Sequence, residues 1–288
     1  MMQRKFITVS APDTSGGGES RRIAYSSFGE PDNPRVLVCV HGVSRLSRDF
    51  DRLAEAVSGR YRVICPDMTG RGDSDPLPRA EDYGYGVYLA DIKALLRDAG
   101  AEKVHWVGTS MGGLIGMMLA AEENSPIERM VINDIGPVIP KDALARIGTY
   151  LGTAGNFKDL AASEAYLRDV HCTFGPLADD EWTELARHSF KPAPDGKGLV
   201  LHYDPKIAEP FKAGSDSDIV LWKIWDRIKC PVLVLRGAES DLLASDTAAE
   251  MAQRGPEADI TTLAGIGHAP ALMNPAQIAI VRDWLANG

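Results

Sequence analysis

A serine flanked by glycines, between a strand-like run and a helix-like run, constrains the fold of this chain more than any other feature. Residues 104–107 predict a strand, Gly-Thr-Ser-Met-Gly-Gly follows at 108–113, and a stretch rich in Leu, Met and Ala predicts a helix to about residue 123. A serine in such a sharp strand-to-helix turn needs glycine two positions before and after it, because larger side chains would collide. Gly108 and Gly112 meet this requirement around Ser110. A phosphate loop is disfavoured, because the Lys-Ser/Thr pair that it needs is missing. The pattern therefore favours Ser110 as a nucleophile.

Strand and helix patterns alternate on both sides of this turn. Runs at 5–10 and 22–28 predict a hairpin whose loop contains Gly16, Gly17 and Gly18. The continuous apolar run 36–40 is typical of a strand that is covered on both faces. Further strands are predicted at 61–65, 104–107, 130–133, 231–235 and 259–263, and helices at 48–58, 86–99, 111–123, 244–253 and 275–286. The fold class is therefore α/β, with a mostly parallel eight-stranded sheet and helices on both faces.

The alternation stops between residues 137 and 218. This segment contains helical stretches but no run that extends the sheet, so we interpret it as an inserted helical cap on a core formed by 1–136 and 219–288. Ligands of open α/β sheets bind beyond the carboxyl ends of the strands, where the cap should lie and set substrate choice. Its aromatic residues could line a pocket, but packing of the cap on the core is the favoured role for Tyr150, Phe157, Tyr166 and Trp182.

Composition and charge bound the remaining possibilities. The 288 residues carry a net charge of -9, which disfavours nucleic acid or an anionic membrane as a general partner and favours a small-molecule substrate. The N-terminus lacks the apolar stretch of a signal peptide, and no run is long enough to span a membrane, so we expect a cytoplasmic protein without membrane insertion. Cys39, Cys65 and Cys230 are expected to be small buried residues. A monomer and a homodimer both stay open.

In element order and motif, the chain resembles the α/β-hydrolase superfamily over nearly its whole length. The similar branches are the serine esterases and lipases and the meta-cleavage-product hydrolases, which carry a helical cap. The resemblance implies a site without metal or cofactor, with Ser110 as nucleophile. It also implies that the backbone amides of Val43, in the loop His41-Gly42-Val43-Ser44, and of Met111 form the oxyanion hole. The glycine-rich segment 65–74 matches another loop of the family and is assigned a structural role.

A serine nucleophile needs a base. His268 lies in Gly-Ile-Gly-His-Ala-Pro directly after the last predicted strand, where the family carries its base. His105 lies inside a strand, and the remaining histidines are disfavoured because His41 lies in the oxyanion loop and the others in the predicted cap. We therefore expect His268 to activate Ser110.

The base needs an acid that holds its tautomer. Asp241 occupies the matching position in Arg-Gly-Ala-Glu-Ser-Asp-Leu-Leu, a loop similar to one of the family, and is the predicted acid. Glu239 lies two residues earlier. Asp134 follows the preceding sheet strand, at the position that some family members use instead, and is expected to shape the exit into the cap.

This site implies hydrolysis of a carboxylic ester, thioester or lactone through an acyl-enzyme. A serine in the turn argues against the dehalogenase and epoxide hydrolase branches, which use aspartate. Three alternatives stay open: a carbon-carbon bond hydrolase of aromatic ring-cleavage products, a perhydrolase-like activity, and a receptor-like protein that keeps the triad to bind a ligand. The natural substrate is not determined by these residues.

Overall fold

An eight-stranded sheet organises the fold in the computed structural model, which describes residues 2–10, 20–152, 155–212 and 216–287. In chain order, the strands of these residues are β1 (Gln3–Val9), β2 (Arg21–Phe28), β3 (Val36–Val40), β4 (Arg62–Pro66), β5 (Val104–Thr109), β6 (Ile127–Asn133), β7 (Val138–Ile139), β8 (Phe190–Pro192), β9 (Leu199–Leu201), β10 (Ile219–Val220), β11 (Val232–Gly237) and β12 (Asp259–Leu263). The large sheet has the order β1-β2-β4-β3-β5-β6-β11-β12.

The sheet is parallel apart from its first strands. β1 pairs antiparallel with β2, and β2 pairs antiparallel with β4. From β4 to β12 every neighbouring pair is parallel. The predicted eight-stranded, mostly parallel sheet and its N-terminal hairpin are confirmed, whereas the predicted loop glycines Gly16, Gly17 and Gly18 lie outside the described residues.

Strand β3 shows why its sequence is apolar throughout. Val36, Val38 and Val40 contribute to the hydrophobic cluster on one face of the sheet, and Leu37 and Cys39 to the cluster on the other face. Successive side chains of a strand point to opposite faces, so a strand covered on both sides has no polar position. The two faces of the sheet therefore carry two separate cores.

Helices supply the cover on each face. Those of the described residues are α1 (Asp51–Val57), α2 (Tyr85–Asp98), α3 (Met111–Ala120), α4 (Lys141–Tyr150), α5 (Leu160–Val170), α6 (Asp179–Ser189), α7 (Glu209–Lys212), α8 (Trp222–Trp225), α9 (Ser245–Met251) and α10 (Pro275–Ala286). Helices α2 and α3 contribute to the first cluster, and α1 and α10 to the second. None of the helices in the described ranges combines the length and the apolar character that crossing a bilayer requires.

The described residues between β6 and β11 are largely helical and add no strand to the large sheet. The short strands β7 and β10 pair with each other, and α4 to α7 lie between them in the chain. Helices α5 and α6 contribute Leu167 and Trp182 to a third hydrophobic cluster, which also contains Met273 from the loop before α10. Ion pairs join Arg52 of α1 to Glu181 and Glu184 of α6. The hairpin of β8 and β9 was not predicted, because strands of three residues are too short to show a periodic pattern.

Candidate active site

Ser110 lies in a sharp turn between β5 and α3. Its backbone has φ 51° and ψ -112°, in the region with positive φ that residues other than glycine rarely adopt. Two hydrogen bonds hold this conformation: the Ser110 amide donates to the Asn133 carbonyl at 3.0 Å, and the Leu114 amide donates to the Ser110 carbonyl at 3.1 Å. The strained turn therefore places the buried Ser110 side chain at the carboxyl end of β5, in the wall of a cavity.

Glycine on either side lets the turn pack against neighbouring backbone. A methyl group on Gly108 would overlap the carbonyl of Gly112, and a methyl group on Gly112 would overlap the carbonyl of Val40 in β3. Both contacts are with backbone, which cannot move aside as a flexible side chain can. The glycine spacing thus reflects the close approach of α3 to β5 and β3.

His268 lies beside the serine. Its Nε2 is 3.0 Å from Ser110 Oγ, within hydrogen-bond distance. The loop after β12 that carries His268 is held by Thr173 of the inserted segment, whose carbonyl accepts from the Gly267 amide at 2.8 Å and whose hydroxyl donates to the His268 carbonyl. The structure therefore brings together the two side chains that the sequence paired, and the inserted segment contacts the loop that carries the histidine.

The carboxylate against the imidazole is Asp134, not Asp241. Asp134 Oδ2 lies 2.8 Å from His268 Nδ1 and also accepts from Ser240 Oγ at 2.6 Å. Its Oδ1 accepts from the Gly237 amide at 2.8 Å. The side chain is fully buried, and three donors fix its orientation. Asp134, which was expected to shape the exit into the cap, is thus the carboxylate that contacts His268.

Asp241 points away from the histidine and towards the inserted segment. Its carboxylate makes a bidentate ion pair with Arg146 of α4, with distances of 2.5 and 3.0 Å, and its side chain is 43% exposed. The loop after β11 does serve the site, but through the preceding residue, Ser240, whose hydroxyl supports Asp134. The expected contact between Asp241 and His268 is therefore wrong, and Asp134 makes that contact instead.

The position of the two strands in the sheet explains why Asp134, and not Asp241, contacts His268. Strand β6 is the direct neighbour of β5, which carries the serine turn, whereas β11 is one strand further away. Asp134 follows β6 immediately, with φ 57°, and this left-handed conformation turns the chain at the strand end. A polar residue at the end of the strand next to the nucleophile was the signal that could have identified it.

The predicted oxyanion amides lie on two segments beside the serine. Val43 follows β3 and Met111 opens α3, and both residues line the same cavity as Ser110. Because the first amides of a helix have no partner within the helix, the Met111 N–H is available to a ligand. A side chain from another loop fixes the Val43 peptide, since Arg71 Nε donates to the Val43 carbonyl at 2.9 Å.

His41, the histidine of the oxyanion loop, has a structural role. His41 Nδ1 bonds the Gly42 carbonyl at 2.7 Å, and its Nε2 accepts from the Met68 amide at 3.0 Å. Complete burial lowers the pKa of His41 to about 4, although the bond to the Gly42 carbonyl opposes this shift. His41 therefore stays neutral near pH 7 and joins two loops of the site.

The other histidines also lie away from Ser110 Oγ. Tyr61 forms a hydrogen bond with His105 at 3.0 Å, and His202 contacts the carbonyl of His188 at 3.3 Å. His171 stacks on the ring of Phe174. Burial, and to a smaller extent the positive charge of Arg45 nearby, holds the pKa of His171 well below its usual range. His268 is thus the histidine that contacts the serine hydroxyl among the described residues.

A cavity of about 600 Å³ opens onto the serine. Its walls are largely apolar and come from the core and from the inserted segment, including Ile139, Leu144, Ile147, Ile207 and Phe211. The aromatic residues that the sequence assigned to packing do pack. Trp182 is buried in the third hydrophobic cluster, and Phe157 and Tyr166 lie against it, whereas Tyr150 packs against the first core cluster.

Three tyrosines of the cavity wall come from outside the inserted segment. Tyr83, Tyr85 and Tyr88 line it from the start of α2 and the turn before it. Sequence reasoning missed all three. Burial raises the pKa of Tyr85, so its hydroxyl is protonated and can donate a hydrogen bond in the cavity.

Comparisons with known proteins agree with this architecture. The profile of the Alpha/beta hydrolase family matches residues 37–280. A 3-hydroxybutyrate-oligomer hydrolase from Cupriavidus necator is 45% identical over 270 residues, which cover 91% of this chain and 92% of that protein.

Solved structures give the same result. A putative hydrolase from Rickettsia typhi superimposes with a TM-score of 0.92 at 30% identity and covers 99% of both chains. An alpha/beta hydrolase from Novosphingobium aromaticivorans superimposes with a TM-score of 0.86 at 36% identity and covers 100% of both chains. The chain therefore belongs to the alpha/beta hydrolase family.

Proposed function

We propose that this hydrolase cleaves carboxylic ester bonds through an acyl-enzyme formed on Ser110. The observation that carries the proposal is the continuous line of hydrogen bonds from Ser110 Oγ to His268 Nε2 at 3.0 Å and from His268 Nδ1 to Asp134 at 2.8 Å. This line ends at the cavity wall, where a bound ester would meet the serine hydroxyl. Proton transfer along it is what a weakly nucleophilic hydroxyl requires.

Each side chain then has a defined part. His268 Nε2 takes the proton of Ser110 as its Oγ attacks the ester carbonyl, and Asp134 stabilises the imidazolium that forms. The amides of Val43 and Met111 donate to the oxyanion, and collapse of the tetrahedral intermediate releases the alcohol with the proton from His268. Water, deprotonated by His268, then attacks the acyl group and returns Ser110 with release of the acid.

The substrate class that we propose is a short oligoester of a hydroxy acid. The 45% identical relative is named for hydrolysis of 3-hydroxybutyrate oligomers, whose units are joined by ester bonds. The apolar walls of the cavity suit the aliphatic part of such units. We assign residues 137–218 to a cap that sets substrate choice, since several cavity residues belong to it. A cytoplasmic location and a monomeric or homodimeric state stay predictions from the sequence.

A substrate panel tests this function. The purified protein should release 3-hydroxybutyrate from its linear dimer and hydrolyse short p-nitrophenyl esters, and Ser110→Ala should abolish both activities. Rapid bleaching of a dienoic ring-cleavage product, with slow ester cleavage, would instead assign carbon-carbon bond hydrolysis. Full ester cleavage by the Ser110→Ala variant would reject Ser110 as the nucleophile.

A further inference from the structure

A buried arginine lies in the wall of the serine cavity. Arg71 follows β4 in the glycine-rich segment for which the sequence indicated only a structural role, and it is 1% exposed. It lines the same cavity as Ser110, Val43 and Met111. The rings of Tyr83 and Tyr88 lie 5.7 and 5.2 Å from its guanidinium carbon and fix the plane of the group.

Only part of this guanidinium is satisfied by oxygen acceptors. Nε donates to the Val43 carbonyl at 2.9 Å, and Nη1 donates to the Thr69 carbonyl at 2.8 Å and to the Tyr88 hydroxyl at 2.9 Å. Nη2 has only the sulfur of Met111, at 3.7 Å, among the described residues. Because a thioether is a weak acceptor, the two N–H groups of Nη2 remain open to a stronger partner.

Other buried arginines of the site region have a carboxylate partner. Arg21 is paired with Asp91 at 2.5 Å, and Arg45 is paired with Asp49 at 2.7 Å. Arg71 has no ion pair within the described residues, and its oxygen partners there are neutral. A buried charge without a counter-ion is costly unless it is paired or hydrogen-bonded. The missing partner at a cavity wall therefore points to an anion supplied by the ligand.

We propose that Arg71 binds the free carboxylate of the substrate through Nη2. This inference rests on the proposed ester hydrolysis and narrows it to esters that carry a carboxylate near the scissile bond. Met111, which Nη2 contacts, directly follows Ser110, so the carboxylate site lies beside the reaction centre. The carboxyl-terminal unit of a hydroxy-acid oligomer has this form, with the carboxylate a few bonds from the ester that is cleaved.

A matched pair of substrates separates carboxylate binding from support of the oxyanion loop. The pair is the linear 3-hydroxybutyrate dimer and the same dimer with its carboxyl group converted to an amide, and chromatography follows cleavage of the internal ester. Arg71→Met should lower kcat/KM for the acid by about 100-fold, mainly through KM, and for the amide by less than about fivefold. Arg71→Lys should keep part of the preference for the acid. Arg129→Met serves as the control, because Arg129 stacks on Trp284 and takes no part in the cavity wall.

If Arg71→Met lowered kcat/KM equally for the acid and the amide, Arg71 would only support the Val43 peptide, and the proposal would be overturned. Equal kcat/KM of the wild type for the acid and the amide would overturn it as well. A second measurement is independent of turnover: butyrate, but not butyramide, should raise the melting temperature of Ser110→Ala, and Arg71→Met added to it should remove this shift. If butyrate raised the melting temperature but the wild type cleaved neither dimer, the proposed function would be rejected and the anion site would be retained. Equal stabilisation by butyrate and butyramide would reject the anion site.

Discussion

Asp134→Asn should disable the base while leaving the backbone around it intact. Asparagine tolerates the φ of 57° at this position better than most residues do. The Gly237 amide needs an acceptor, so the asparagine oxygen should face Gly237 and its NH₂ group should face His268. An NH₂ group can only donate to His268 Nδ1, which moves the imidazole proton to Nε2. The imidazole then has no lone pair to accept the proton of Ser110.

The expected size of the effect distinguishes the two candidate acids. The equivalent Asp-to-Asn change in a serine protease lowers kcat by about 10⁴, or about 5 kcal/mol of transition-state stabilisation. Asp241→Asn removes an ion pair with Arg146 whose side chains are 43% and 36% exposed. Such a pair contributes at most about 1 kcal/mol to stability. Even if this whole contribution were lost from the transition state, Asp241→Asn should change kcat by no more than about fivefold.

Initial rates of p-nitrophenyl acetate hydrolysis give kcat for the wild type and both variants. Thermal denaturation of the same preparations verifies that each variant is folded. A larger loss of kcat in Asp241→Asn than in folded Asp134→Asn would contradict the assignment and return the acid to the loop after β11. Equal small losses would show that the imidazole needs neither carboxylate.

Three further changes test other parts of the site. Gly112→Ala should lower the free energy of unfolding by about 3 kcal/mol, because its methyl group overlaps the Val40 carbonyl, and urea denaturation should reveal this loss. Thr173→Val removes the hydroxyl that donates to the His268 carbonyl and should lower kcat about fivefold, and an unchanged kcat would show that this contact does not position the base. The pKa of His41 is about 4 in the folded protein and 6.5 in the unfolded chain, so the unfolded chain binds more protons between these pH values. The stability that is present above pH 6.5 is therefore lost as the pH falls to 4. That loss should reach about 3 kcal/mol and be absent in His41→Gln, and equal pH dependence of unfolding in both proteins would contradict the assigned burial of a neutral imidazole.

Features with a local physical cause could be predicted from the sequence. The glycines around Ser110 and the apolar run of β3 are required by close packing within a few residues or by burial of both strand faces. These requirements act on neighbouring positions, so they leave a pattern in the sequence. The serine turn, the sheet and most helix positions were therefore predictable.

The carboxylate in contact with His268 was mispredicted because that contact depends on packing between distant segments. Asp134 and Asp241 each follow a parallel strand of the same sheet, and motif similarity favoured the second. Their roles are separated by the direction of each side chain, since Gly237 and Ser240 hold Asp134 towards the histidine and Arg146 holds Asp241 away from it. No local spacing encodes these contacts.

The cavity wall was missed for a related reason. Arg71 lies in a loop whose glycines indicated a turn, and the tyrosines of the cavity lie at the start of a helix with an ordinary amphipathic pattern. Their common position becomes visible only when the loop after β4 and α2 pack together beside Ser110. The lining of the cavity therefore depends on tertiary contacts that the sequence did not reveal.

Covalent labelling measures the central claim most directly. A fluorophosphonate reacts with a serine that is activated by a neighbouring base, and mass spectrometry of peptides from the labelled protein locates the adduct. One adduct on Ser110, formed in step with the loss of ester hydrolysis and absent in His268→Ala, is the expected result. An adduct on another residue, or complete loss of activity while Ser110 stays unmodified, would contradict the assignment of this serine as the nucleophile.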